Sequence, residues 1–139
     1  MSTPAQSPKA ANRRNLTSSI ESESLTVSLT FYFEEAPARV PDFLVGLRGR
    51  NPSVHAFGRQ LHVDEADYRK RSSEACDFLE EFCATFAQNV NAQWLLENRC
   101  ELRAYITPHP GKQNGGVRLA NSTLAALAEV GAFIELEVI

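Results

Sequence analysis

From Leu25 to Phe33 the chain alternates strictly: Leu25, Val27, Leu29, Phe31 and Phe33 are apolar, and Thr26, Ser28, Thr30 and Tyr32 stand between them. Successive side chains of a strand point to opposite faces, so this spacing predicts a strand with one buried face. The pattern returns at Cys100, Leu102, Ala104 and Ile106. It returns again at Ala132, Ile134, Leu136 and Val138, with Glu135 and Glu137 opposite. Gln60-Leu61-His62-Val63 reads as a shorter strand. Strands buried on both faces would read as continuous apolar runs, so one-faced alternation favours a largely antiparallel sheet with helices on one side.

Between the strands the apolar spacing changes to three and four. Pro41 suits a first helical turn, and Val40, Phe43, Leu44 and Leu47 at helical spacing predict a helix of about two turns. The longest helix lies between Asp64 and Asn89, where Tyr68, Ser72, Ala75, Leu79, Phe82 and Phe86 form one stripe. Asp64 and Ser72 are both acceptable N-caps for it. Val90 to Glu97 reads as a second short helix or a turn back to the sheet. Asn121 or Ser122 caps a further helix bearing Leu124, Leu127 and Ala128, and Gly131 fits its left-handed end. The expected fold is α+β: a mostly antiparallel sheet of four to five strands, helices on one face, in the order β-α-β-α-β-α-β, as one domain over residues 24–139. Residues 1–23 are rich in Ser, Thr, Ala and Pro, with Leu16 and Ile20 their only large aliphatics. That segment is expected to be a disordered tail, because it buries too little to offset the entropy of ordering it.

Composition narrows the class without naming an activity. With 139 residues, 43% of them hydrophobic, the chain supports one core without a metal or disulfide staple. No apolar run approaches the roughly 20 residues that span a bilayer, and the N-terminal stretch lacks the hydrophobic segment of a signal peptide. Three cysteines, Cys76, Cys83 and Cys100, cannot pair completely, which suits a reduced, cytoplasmic setting. Residues 1–20 carry a charge of +3 and the rest of the chain −6. An acidic body argues against nucleic acid as a partner, since phosphate contact rewards clustered cations. A soluble α+β domain is as far as composition reaches.

The motifs that carry chemistry are sparse. Cys76 and Cys83 lie about 10.5 Å apart along one helix, too far to bridge, and their spacing is not that of a zinc pair. A nucleophilic thiol needs an adjacent base, and no histidine is near either one in sequence. His62 and Asp64 share a face if their segment is a strand, and His55 would complete a three-ligand set, but the spacing matches no metal motif. Gln113-Asn114-Gly115-Gly116 lacks the phosphate-loop pattern and reads as a plain turn. Charge is more informative. Residues 39–62, with Arg48, Arg50 and Arg59 beside His55 and His62, carry a local +3, and residues 64–81 carry −4. Opposed patches of this kind steer a charged partner.

Two stretches carry a resemblance. Val117-Arg118-Leu119 followed by Thr123-Leu124-Ala125-Ala126-Leu127-Ala128-Glu129-Val130-Gly131-Ala132, together with Val45-Gly46-Leu47, Pro52 and Gly58 at the front, resembles the bacterial family called domain of unknown function 4279. The resemblance covers most of residues 25–139 and implies a small α+β protein related to immunity factors encoded beside secreted toxins, with no catalytic residues. The expectation is therefore a non-catalytic protein-binding module, a cytoplasmic immunity-type factor that occludes a partner toxin domain. It binds through Arg48, Arg50, Arg59 and His55, or through Asp77, Glu80 and Glu81 on the acidic helix. Arginine suits such a surface because its planar fork pairs with carboxylates in bidentate fashion. No cofactor, metal, nucleic acid or membrane is implied. Two other readings stand: a small enzyme or ligand-binding protein with an Arg/His anion pocket, and a structural subunit of a phage or secretion assembly.

Overall fold

The computed structural model describes residues 24–47, 55–109 and 116–137. The expected tail at 1–23, Arg48, Arg50, Pro52, the turn at 113–115 and Val138 of the expected last strand lie outside the described residues. Among the described residues four strands and three helices follow in the order β1 (Ser24–Phe33), β2 (Ala56–Asp64), α1 (Tyr68–Phe86), α2 (Ala92–Glu97), β3 (Cys100–His109), α3 (Asn121–Val130) and β4 (Phe133–Leu136). The fold is α+β, and the strands form one mixed sheet in the order β2-β1-β3-β4.

The register of β1 sets the rest. It pairs antiparallel with β2, Thr26 opposite His62 and Thr30 opposite Gly58, and antiparallel with β3, Thr26 opposite Thr107 and Thr30 opposite Arg103. The last pairing, β3 with β4, is parallel, so the sheet is not antiparallel throughout. After β3 the chain passes through α3, and such a crossover returns it to the same end of the sheet. Alternation specifies which face is buried and is silent on strand direction. The order of elements also differs from the alternating one. Where a two-turn helix was expected after β1, Asp42–Leu44 make a single 3-10 turn, held by bonds from Leu44 N–H to the Pro41 carbonyl and Val45 N–H to the Asp42 carbonyl. Only Leu44 and Leu47 of that stretch are buried, too narrow a face to support a longer helix against its Gly46.

The odd-numbered side chains of β1 meet the helices. Leu25, Val27, Leu29 and Phe31 are fully buried, as are Leu102, Ala104 and Ile106 of β3. From α1 the stripe Ala75, Leu79, Phe82 and Phe86 packs onto them. Phe31 is the hub, with ring centroids 6.1 Å from Phe82, 5.5 Å from Phe86 and 6.5 Å from Trp94. Tyr68, expected on this stripe, is instead exposed.

Helix ends follow local hydrogen bonding. Asp67, rather than Asp64 or Ser72, caps α1: its Oδ1 accepts from the N–H of Arg69 at 2.9 Å and of Lys70 at 3.0 Å. The Lys70 bond leads in holding this carboxyl below its ordinary pKa. Ser72 is buried inside the helix, where its hydroxyl accepts from Arg118 N–H at 2.8 Å. At α3 the cap position is Ala120, without a side-chain bond, so neither Asn121 nor Ser122 caps it. The glutamate Glu80 reaches over from α1 and accepts from the Ser122 and Thr123 hydroxyls instead. Gly131 ends α3 at φ 79°, as its sequence position predicts. Among the described residues no helix is long and apolar enough to cross a membrane.

Candidate interaction face

Among the described residues, the helices cover one face of the sheet. The other is built from the polar halves of the same alternations, placed by register into rows. Thr26 lies between His62 and Thr107, Ser28 between Gln60 and Tyr105, Thr30 between Gly58 and Arg103, and Tyr32 between Ala56 and Glu101. Small residues on the central strand with larger ones on either side make a trough. Ser28 and Thr30 are 2% and 0% exposed, although among the described residues the helices pack on the other face. The trough is a cavity of about 240 Å³ lined by Thr26, Ser28, Gln60, Tyr105, Thr107 and Glu137, with Tyr32 at its end.

A cation–aromatic cluster stands beside it. The Arg103 guanidinium lies 4.4 Å from the Tyr32 ring centroid. Its Nε donates to Glu101 Oε1 at 2.8 Å and its Nη1 to the Tyr105 hydroxyl at 3.2 Å. Those two bonds, the Tyr105 one foremost, push the Arg103 pKa further up, so the charge is permanent. The Tyr32 and Tyr105 rings meet edge to face at 6.3 Å. Four side chains are thus held by one another before any ligand arrives. Beyond Tyr32, at the end of the sheet, a second hollow of about 410 Å³ runs past Phe33, Leu95, Arg99 and Cys100.

At the opposite end of the trough Thr26 Oγ1 lies 3.1 Å from His62 Nδ1 and 3.2 Å from His109 Nε2. A hydroxyl has one proton to give, so with both rings neutral it donates to one imidazole and accepts from the other. His62 and Asp64 share this face, as expected from a strand. His55, in the turn before β2, is elsewhere: its carbonyl accepts from Phe33 N–H at 2.8 Å. Among the described residues no three His, Cys, Asp or Glu side chains converge as a metal site.

The residues expected to bind a partner are scattered. Arg59, opposite Leu29, points to the helix-bearing side at the sheet edge and is exposed. Asp77 and Glu81 are exposed on α1, while Glu80 is half-buried and occupied with the start of α3. The three cysteines are buried and unpaired with one another. Cys76 is built into the scaffold, its thiol donating to the Arg118 carbonyl and accepting from Ala120 N–H, each at 3.5 Å. A third cavity, about 620 Å³, lies there between Tyr68, Arg69, Cys76 and Arg118. Burial pushes the Cys83 thiol up to about 11 and the Cys100 thiol up to about 12, so neither is a nucleophile near neutral pH.

Sequence reasoning missed Tyr32, Gln60, Arg103, Tyr105 and His109. The signal was present in the polar positions of the alternations, but only the register shows that they share one surface. No family model, curated protein or solved structure matches this chain.

Proposed function

We propose that this chain is a non-catalytic protein-binding module whose uncovered sheet face is its principal docking surface. The observation that supports this most is the Tyr32–Arg103–Tyr105–Glu101 cluster. Tyrosine and arginine dominate the energetic centres of protein interfaces, and side chains already held in place lose little entropy on binding. The hollows on either side of the cluster offer relief for a partner's side chains. The anion-pocket alternative has less support: none of the three cavities described above is lined by Arg59 or His55.

The finer form of this reading comes from the resemblance at Val45–Leu47 and Val117–Ala132. In it the partner is a toxin domain, and the chain acts in the cytoplasm as an immunity-type factor that covers the toxin's working surface. Structural assembly into a larger particle is the competing form.

The test is calorimetric titration against the purified product of the adjacent gene. Wild type is expected to form a one-to-one complex that Arg103→Ala weakens by at least about tenfold, or about 1.4 kcal/mol. Glu81→Lys, on the far side of the molecule, is expected to leave affinity unchanged. Retention of full affinity by Arg103→Ala would remove the sheet face from the interface.

A further inference from the structure

Among the described strands, β4 is the one whose apolar side chains stay in water. Phe133 is 55% exposed, Ile134 41% and Leu136 69%. The helix layer stops short of this edge, and among the described residues β4 pairs with β3 alone. Among the described residues its main chain is half used. Glu137 N–H donates inward to the Ile106 carbonyl at 3.1 Å, and strand alternation then aims the amide and carbonyl of Ile134 and Leu136 outward. Neither lysine nor proline blunts the strand, although edges are ordinarily protected in that way.

The side chains specify what such an edge accepts. Ile134 and Leu136 lie on the helix side, aligned with Ala104 and Ile106, while Glu135 lies on the open side, aligned with Tyr105. Glu137 follows on that open side, lining the trough. Residues directly opposite across a strand pair share a face. A strand added here therefore sets apolar side chains beside Ile134 and Leu136, and the alternate ones beside two carboxylates. In a second copy of this chain, antiparallel pairing centred on Glu135 or on Leu136 sets carboxylates opposite one another, and pairing centred on Ile134 sets Glu135 opposite Phe133, so no register gives either glutamate a basic partner.

We infer that the free edge of β4 takes up an extended segment of a partner protein in which apolar and basic residues alternate. The inference rests on the protein-binding reading and supplies the chemistry of the partner. Main-chain bonds at Ile134 and Leu136 supply affinity, and the Glu135 and Glu137 carboxylates supply selectivity, as in other strand additions. Phe133, aligned with Arg103, joins this edge to the Tyr–Arg cluster, so one partner can use both.

The experiment titrates the full chain, isotope-labelled for amide detection, with a peptide of about six residues alternating Val and Lys, and with its Val/Glu counterpart. Hydrogen exchange at Ile134 and Leu136 is expected to slow by at least about tenfold with the first peptide only. Ile134→Pro, which removes an outward donor at an edge that tolerates proline, is expected to abolish the effect. The double reversal Glu135→Lys, Glu137→Lys, on exposed carboxylates, is expected to transfer it to the Val/Glu peptide and covers the case in which the proline variant does not fold. Equal response to both peptides, or none, overturns the inference. Slow exchange already present in the free chain also overturns it, pointing to a second copy if it grows with concentration and to a segment of this chain if it does not. Partner binding that depends on Arg103 while Glu135 and Glu137 prove indifferent overturns the edge alone and leaves the sheet-face reading standing.

Discussion

Arg71, 1% exposed, donates from its guanidinium Nε to the Gly116 carbonyl at 2.9 Å. The same group's Nη1 donates to the carbonyls of Glu65 at 2.9 Å and Ala66 at 3.1 Å. One side chain on α1 thus ties the turn that enters the helix to the extended segment that leads to α3. Main-chain acceptors satisfy part of its charge, and the planar fork reaches two directions at once.

Replacing Arg71 with methionine keeps much of the apolar stem and removes the donors. The expected loss is about 1–3 kcal/mol in urea unfolding, the range for polar groups stripped of a charged partner. Arg71→Lys is expected to recover little of it, because an ammonium on one stem cannot span the same carbonyls. A change under about 0.5 kcal/mol, the range of ordinary surface substitutions, would show that the clamp is idle.

Gly58 sits so close to its neighbour across the sheet that a β-carbon would lie 2.5 Å from both the Leu29 carbonyl oxygen and Thr30 Oγ1, and 2.8 Å from Thr30 Cα. Two of those three atoms are main chain of the central strand, which cannot give way cheaply. Gly58→Ala is expected to cost about 1–3 kcal/mol, as overpacking does, read as a lowered thermal midpoint. Thr30→Ser is not expected to rescue it, since the Leu29 carbonyl still clashes. Unchanged stability in Gly58→Ala would mean that β2 stands further from β1 than this register requires.

The two long alternations, 25–33 and 100–106, were legible because every second side chain faces a helix layer, and burial writes itself into a period of two. The stripe from Ala75 to Phe86 and the glycine at 131 were legible for equally local reasons. The parallel pairing of β4 was not, because direction depends on where a crossover lands. The cap at Asp67 stands among competing polar residues that sequence does not rank, and the 3-10 turn at Asp42–Leu44 imitates a helix over one turn. The interaction face was hardest to read. Thr26, Tyr32, Arg103 and Tyr105 come from two strands separated by some seventy residues of chain, and polar positions look alike until pairing brings particular ones together. Arg59, by contrast, drew attention through local charge, which shows solvation more readily than assembly.

Cys83 and Cys100 give the fold a dependence on alkaline pH whose direction is set by burial. Their thiols titrate at about 11 and about 12 in the folded chain, whereas an unperturbed thiol titrates near 8.5. Desolvation leads in both, and the carboxylates of Glu80 near Cys83 and Glu101 near Cys100 add to it. Below about pH 8 both states hold these protons, and the contribution to stability is fully present. Above that, the unfolded chain releases them while the folded chain retains them, so stability falls as pH rises toward the folded values. Urea midpoints measured from about pH 7 to pH 10 are expected to decline for wild type and to decline less steeply for Cys83→Ala/Cys100→Ala. The comparison between the two slopes isolates the thiols from lysines and tyrosines that also titrate there. In the folded protein at about pH 8, an aromatic disulfide reagent is expected to label both thiols far more slowly than in urea, because the thiolate is the reactive form. Parallel slopes, or rapid labelling of folded protein at either position, would show that these thiols are open to water and do not belong to the core that Phe31 organises.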